Sequence, residues 1–294
     1  MAARLLGPFT PILRAWDGKG VHLLLFILTL CTTFWVGLLG GLSGAFWYSG
    51  GIMAILLCHE MGHFWTARRH GVPATLPYFI PVPFWPFGTM GAIIKMHGTI
   101  PNRRALFDIG AAGPLAGMAL IVPAILWGLD MSQVVEKSAA SGGGFSLGES
   151  LLFKILGRIA IGHVGENQDV LLHPLAYAGW VGLLVTAINL LPVGQLDGGH
   201  IVYALFKKRS KWVAALFFAA MAAVCLFLYF GWLLMLVLLS VLRRHPPTLD
   251  DESGLDLKRK ALGLFMIAVF ILSFTPVPFG FGEGLVPMVM DWLK

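Results

Sequence analysis

The stretch that decides the fold is VHLLLFILTLCTTFWVGLLGGLSGAFWYSGGIMAILLC, which runs from Val21 to Cys58 without an Asp, Glu, Lys or Arg. One membrane-crossing helix needs about 20 apolar residues, so this run is too long for a single crossing. Residues 40–44 read GGLSG, and glycine and serine at such density interrupt a helix. The sequence therefore predicts two helices, near residues 21–41 and 45–70.

The composition of the whole chain is typical of a membrane protein with several crossings. Of its 294 residues, 57% are hydrophobic and 12% are charged, and the mean hydropathy is +0.79. Soluble domains are about 25% charged, so the composition argues against a soluble fold. The net charge of +6 would suggest a nucleic-acid partner in a soluble chain. Here it indicates basic loops against anionic lipid, so we expect a lipid bilayer and no nucleic acid as partner.

The three cysteines all lie in apolar runs without close spacing, which excludes a disulfide framework and a cysteine zinc site. Further uncharged stretches predict helices over 109–129 and 170–196 and a last one from residue 261 to about Phe274. The stretch 212–242 predicts either one long tilted helix or a hairpin that turns near Phe230 and Gly231. Residues 131–168 are typical of a surface loop with one short helix near 149–160.

Residues 75–100 differ from the helical stretches, because they are rich in Pro, Phe and Gly and then form a β-like run from Thr89 to Met96. We therefore predict an all-α polytopic membrane protein of about six (five to seven) transmembrane helices with a small re-entrant β-rich segment near 75–100. The segment could accept a substrate strand by edge addition, or it could only pack the core. We expect one domain over residues 1–294.

Basic residues predict the orientation of the helices. If the N-terminus is cytoplasmic, one side of the membrane receives all of the following residues: Arg4, Arg14, Lys19, Arg68, Arg69, Arg103, Arg104, Lys207, Lys208, Arg209 and Lys211. The hairpin alternative for 212–242 also keeps Arg243 and Arg244 on that side, so it is favoured, although each arm is short against the usual span.

The second predicted helix carries His59-Glu60-Met61-Gly62-His63, an HExxH motif. Two histidines four residues apart project from the same helix face, so both imidazoles can reach one zinc ion. The glutamate between them is left to act on a water molecule. Ionisable side chains inside an apolar helix are costly and therefore indicate function.

A catalytic zinc site needs a third protein ligand. Asp197 stands at the end of a long uncharged run, in the segment NLLPVGQLDGGH over residues 189–200. Pro192 and the glycines of this segment break the helix and allow close backbone approach, so a carboxylate here can point into a buried cavity. His200 is the alternative ligand in the same segment.

HExxH in one helix and NxxPxxxLDG in a later one resemble the site-2 proteases, the intramembrane zinc metalloproteases, over about residues 46–205. The sequence around both motifs resembles the EGY-type bacterial and plastid branch of this family. The resemblance implies that one Zn²⁺ per chain is bound by His59, His63 and Asp197. It implies that Glu60 is the general base and that Asn189 steadies the substrate or the oxyanion. No PDZ or CBS domain is expected.

The resemblance implies hydrolysis of a peptide bond within or near a transmembrane segment of a single-span membrane protein. We expect a bacterial inner (plasma) membrane as location. His59 lies about 21 Å along its helix from Ala45, near the end that carries Arg68 and Arg69, so we expect the active site nearer the cytoplasmic face. One alternative is a metal transporter, which has no special need for a base at Glu60. The other is a catalytically silent membrane adaptor, against which the intact ligands argue.

Overall fold

The computed structural model describes residues 18–84, 86–137, 146–242, 247–280 and 284–292, and this part of the chain is mostly helical with two small sheets. The helices are α1 (Lys19–Gly37), α2 (Gly41–Arg69), α3 (Arg103–Asp130), α4 (Leu151–Ala160), α5 (Pro174–Asn189), α6 (Asp197–Phe206), α7 (Ser210–Phe227), α8 (Leu233–Leu242), α9 (Leu257–Ser273) and α10 (Leu285–Trp292). The strands are β1 (Tyr78–Pro81), β2 (Thr89–Ile93), β3 (Gln133–Glu136) and β4 (Gln168–Leu171).

Three stretches of the described residues are long and apolar enough to cross a membrane, namely Gly20–Arg69, Arg103–Asp130 and Asp197–Phe227. The first contains α1 and α2, which are separated by a 3₁₀ turn over Leu38–Gly40. Gly41 then takes a φ of 76°, a conformation open to glycine, so the chain changes direction where the sequence predicts a break. The expected number of about six membrane helices stays a prediction.

Two predicted helix boundaries are wrong. The helix predicted over 170–196 is shorter, because β4 occupies its start and α5 covers only Pro174–Asn189. His173 caps α5 and Pro174 takes its first position, where a missing N–H costs nothing. The helix predicted from residue 109 begins earlier, at Arg103, because the Asn102 side chain accepts a hydrogen bond from the Ala105 amide and caps it.

The stretch 212–242 forms two helices, α7 and α8, with a 3₁₀ turn over Phe230–Trp232 between them. Leu239 near the end of α8 belongs to the same hydrophobic cluster as Ala214 near the start of α7, as expected for two antiparallel arms. The hairpin is therefore the alternative that forms. Arg4, Arg14, Arg243 and Arg244, which enter the predicted orientation, lie outside the described residues.

The β-rich segment predicted near 75–100 forms an antiparallel hairpin of β1 and β2, with Tyr78 opposite Ile93 and an irregularity between Phe79 and Pro81. It packs against α1 and α2. β3 and β4 form a second antiparallel pair over 133–136 and 168–171. The short helix α4, which the sequence predicts near 149–160, lies between them along the chain.

The core lies where α2, α3 and α5 pack against each other. Fully buried side chains from all three helices meet there, among them Tyr48, Ile52, Ile121 and Trp180. Gly62 of α2 allows this close packing, because a Cβ at its position would lie 2.5 Å from the Ala112 carbonyl oxygen of α3. Small residues at helix contacts are typical of membrane helices.

The connection before α9 folds against the end of α6. The buried Arg103 guanidinium donates to the carbonyl oxygens of Ala204 and Leu205 in the last turn of α6. Asp251 accepts hydrogen bonds from the Thr248 and Tyr203 hydroxyls, each at 2.7 Å. Burial alone would raise the pKa of Asp251, but these hydrogen bonds to its charged form lower that pKa below its ordinary value.

Candidate metal centre

The two histidines of the HExxH motif lie on one buried face of α2. His59, Glu60 and His63 are only 3%, 5% and 6% exposed, although they stand in a helix of apolar and small residues. Their spacing of four residues places the two imidazole rings 4.9 Å apart between centroids. The pair therefore faces inward, as a shared ligand requires.

Asp197 reaches the histidines from the first turn of α6. Its Oδ2 lies 3.2 Å from Nε2 of His59 and 3.2 Å from Nε2 of His63. The segment before it folds back so tightly that a Cβ at Gly198 would lie 1.9 Å from the Leu190 carbonyl oxygen. Glycine fits there because it has no Cβ. The partial positive charge at the N-terminus of α6 also favours a carboxylate at this position.

The geometry of these three side chains fits a zinc ion. One ligand atom from each of them lies within 4.8 Å of the others. Ligand atoms at zinc distances in a tetrahedral site stand about 3.3 Å from each other, close to the two contacts of 3.2 Å made by Asp197. The charge of two neutral imidazoles and one carboxylate also suits Zn²⁺ and leaves a fourth position for a water or a substrate.

The Ile109 carbonyl oxygen fixes the orientation of His63, because it lies 2.8 Å from Nδ1 of that ring. This contact turns Nε2 toward the metal position and favours the tautomer with the proton on Nδ1. The sequence gives no means to identify this acceptor, since any carbonyl of α3 could serve. His200, the alternative ligand, is buried but is not part of the metal-ligand group in the described residues.

Two glycines of α3 leave the room that the histidines occupy. A Cβ at Gly113 would lie 2.0 Å from Nε2 of His63, and a Cβ at Gly117 would lie 3.1 Å from Nδ1 of His59. Sequence reasoning misses this role, because a GPLAG stretch in an apolar helix is equally typical of helix packing. The sequence signal that could have revealed it is spacing, because the two glycines stand four residues apart and so do the two histidines.

Glu60 lies next to the ligands and faces the β-hairpin. The backbone N–H of Ile94, directly after β2, lies near its carboxylate. Asn189, the last residue of α5, places Nδ2 3.4 Å from Nε2 of His59. The structure thus brings together all five predicted site residues from α2, α5 and α6, and their individual roles stay predictions.

The edge of β2 that faces Glu60 has no partner strand in the described part of the chain, because its sheet contains only β1 and β2. The Lys95 carbonyl oxygen accepts from the Thr75 amide and so points toward the β1 side. Since backbone groups alternate along an extended chain, the backbone groups of Ile94 point the opposite way, toward Glu60. Ala92 is directed to the same free edge.

Residues 47–231 match the family model described as Peptidase family M50. The chain belongs to peptidase family M50. The predicted membership of the site-2 proteases is thereby confirmed, and the name of the family is that of a peptidase. No solved structure matches the chain.

Several curated proteins are similar to this M50 chain. The protein "Probable zinc metalloprotease EGY1, chloroplastic" of Arabidopsis thaliana is 35% identical over 235 residues, which cover 77% of this chain and 42% of the relative. "Probable zinc metalloprotease EGY2, chloroplastic" of the same plant is 31% identical over 254 residues, 82% of this chain and 43% of the relative. The chain thus spans less than half the length of these relatives.

The expected location in a bacterial inner membrane, with the site nearer the cytoplasmic face, is contradicted by these relatives. Both are named chloroplastic, as is the EGY1 protein of Oryza sativa subsp. japonica, 34% identical over 239 residues, 78% of this chain and 40% of the relative. They point to a plastid membrane. The physical reason for the error is that basic loops and apolar helices report which side of a bilayer a loop occupies, not which organelle holds the bilayer.

Proposed function

We propose that this M50 chain is a zinc-dependent endopeptidase that hydrolyses a peptide bond within or near a transmembrane segment of a single-span membrane protein. The observation that carries the proposal is the approach of Asp197 to both histidines of the motif, at 3.2 Å each, between apolar helices. A glutamate lies between the two histidines and is buried with them, and a site that only transports metal has no special need for such a base.

His59, His63 and Asp197 would hold one Zn²⁺. When bound, zinc supplies a Lewis acid that polarises a carbonyl group and makes a water molecule more acidic. The Glu60 carboxylate accepts the proton of the attacking water and returns it to the leaving amine, as a general base and then a general acid. The backbone N–H of Ile94 lies near that carboxylate.

Asn189 has the position to bind the substrate. Its amide lies beside His59 at the end of α5, so Nδ2 can donate a hydrogen bond to a substrate carbonyl or to the negative charge that develops on it. The electrostatic attraction between such a donor and a negative charge is stronger inside an apolar site than in water.

The free edge of β2 is the proposed binding place for the substrate backbone. A peptide bond inside a helix is shielded by the hydrogen bonds of that helix, so the substrate must unwind before it reacts. An unwound segment can recover main-chain hydrogen bonds by pairing with β2 at Ala92, next to Glu60. The proposed setting is a lipid bilayer, and the names of the relatives support a plastid membrane.

The test uses the purified full chain in detergent or vesicles, loaded with zinc and mixed with single-span substrates. We expect wild type to cleave and Glu60→Gln to lose about 100- to 10,000-fold in rate, while it keeps one zinc per chain, because the variant removes the base and no metal ligand. Glu149→Gln is the matched control, since Glu149 forms only an exposed pair with Lys154.

Equal cleavage by wild type and Glu60→Gln would refute the assigned role of Glu60. A wild type that cleaves nothing and carries metal ions across vesicles would favour the transporter alternative. A zinc content far below one per chain in wild type would refute the metal site.

A further inference from the structure

The tip of the β1–β2 hairpin is held by side chains from three different helices. Three consecutive backbone carbonyl oxygens of the tip each accept a hydrogen bond from a hydroxyl group. The donor–acceptor pairs are Tyr177 to Pro86 at 2.9 Å, Tyr48 to Phe87 at 2.6 Å and Thr32 to Gly88 at 2.6 Å. The donors, called the tip hydroxyls below, belong to α5, α2 and α1.

Each of these hydrogen bonds replaces a bond that water would otherwise provide. Irregular backbone among apolar helices must find partners inside the protein, so three paired carbonyls make this tip stable where it stands. Gly88 brings the tip very close to α1, because a Cβ there would lie 2.8 Å from the Thr32 carbonyl oxygen. Its φ of 74° also suits glycine.

The two tyrosines are themselves rigid. Tyr48 is fully buried, and its ring stacks on that of Tyr177 with centroids 5.2 Å apart. The Tyr177 ring in turn stacks on Trp180, whose indole N–H donates to the Gly148 carbonyl oxygen. Because the rings cannot turn freely, their hydroxyls define a fixed depth for the tip.

β2 connects this tip to the metal centre. From Gly88 to Ile94 the chain rises about 20 Å as a strand, and the backbone of Ile94 at its end lies beside Glu60. A change in the depth of the tip therefore shifts the free edge of β2 relative to Glu60. A substrate strand that pairs with β2 takes its register from that edge, and one residue of slip moves the substrate by about 3.3 Å.

We propose that Thr32, Tyr48 and Tyr177 are positioning residues whose hydroxyls hold the hairpin tip at a set depth and thereby select which substrate peptide bond lies at the metal centre. The proposal rests on the endopeptidase function proposed above. It assigns a role in selecting the cleaved bond to side chains at the opposite end of the strand from the zinc ligands.

The experiment compares the zinc-loaded full chain with Tyr177→Phe, Tyr48→Phe and their double variant, and with the milder Thr32→Val. Tyr229→Phe is the matched control, because the Tyr229 hydroxyl makes none of the three tip hydrogen bonds. Three quantities are measured: the cleaved bond from the product masses, kcat and KM separately, and hydrogen–deuterium exchange over residues 78–96.

For the double variant we expect a second product cut at a neighbouring bond. We also expect roughly a tenfold fall in kcat with KM within about twofold, because misplacement by a fraction of a residue affects the reacting geometry more than binding. Exchange over residues 78–96 should rise at equal zinc content, and the control should match wild type in all three measurements.

An unchanged cut site overturns the proposal even if the rate falls, because a purely structural loss lowers the amount of active protein without moving the cut. Unchanged exchange in every variant overturns it as well. If wild type cleaves no substrate, the proposed endopeptidase fails for that reason, and exchange in the variants still decides whether the hydroxyls hold the hairpin.

Discussion

Replacing Gly113 with alanine should prevent zinc binding although all three predicted ligand residues stay in the sequence. The new Cβ would lie 2.0 Å from Nε2 of His63, 2.4 Å from its Cε1 and 2.5 Å from its Cδ2. Ordinary carbon–nitrogen contacts need about 3.4 Å or more, so the imidazole must retreat by more than an ångström. Its Nδ1 contact with Ile109, at 2.8 Å, resists that movement.

A zinc ligand displaced this far no longer binds, since ligand distances vary by only about 0.2 Å in real sites. Altering the surroundings of a ligand costs about 10–100-fold in metal affinity, so removal of a ligand should cost at least about 100-fold. The assay is zinc affinity by competition with a chelator of known affinity, on purified protein with its helix content checked by circular dichroism.

Two further alanine substitutions calibrate this result. At Gly117 the new Cβ would lie 3.1 Å from Nδ1 of His59, which a shift of a few tenths of an ångström relieves, so zinc should bind less than about tenfold more weakly. At Gly50, on the same helix as the histidines, a Cβ meets nothing within 4 Å, so binding should not change. Wild-type zinc affinity in Gly113→Ala would refute the reasoning.

Three more outcomes are expected. Arg103→Leu leaves carbonyl oxygens at the end of α6 unpaired and should lower the free energy of unfolding by about 3 kcal/mol, measured by denaturant titration. Because the folded pKa of Asp251 lies below its ordinary value, its charge stabilises the fold above about pH 4, and this contribution is lost as the pH falls through the folded pKa. Asp251→Asn should therefore flatten stability against pH below about pH 4, and a slope equal to that of wild type would contradict it. Ser150→Ala removes the cap on the Phe153 amide and should cost about 1 kcal/mol, measured as a fall in Tm.

Much of the site could be predicted from the sequence, because its signals are local or chemically rare. The spacing of His59 and His63 determines a shared face on any helix. Asp197 is conspicuous since carboxylates are costly at membrane depth, and glycines beside it indicate a folded-back chain. The β-hairpin near 75–100 could be predicted because Pro and Gly exclude a regular helix there.

The rest depends on which elements meet, and no local pattern encodes that. The acceptor for His63 is a backbone carbonyl, which every residue possesses, so only the packing of α3 on α2 selects Ile109. The start of α5 at Pro174 was missed because an uncharged run over 170–196 continues through β4, where hydropathy alone does not separate strand from helix. The prediction of the location was wrong because charge patterns indicate which side of a bilayer a loop occupies and not which organelle holds that bilayer.

α3 provides none of the three predicted ligands, yet all three depend on it. Gly113 and Gly117 receive the rings of His63 and His59, and Arg103 holds the far end of the helix that begins with Asp197. These two glycines of α3 stand four residues apart, as do the two histidines of α2. A paired search for HxxxH in one apolar helix and GxxxG in the next would therefore detect buried metal centres of this kind in sequences whose third ligand is too variable to recognise.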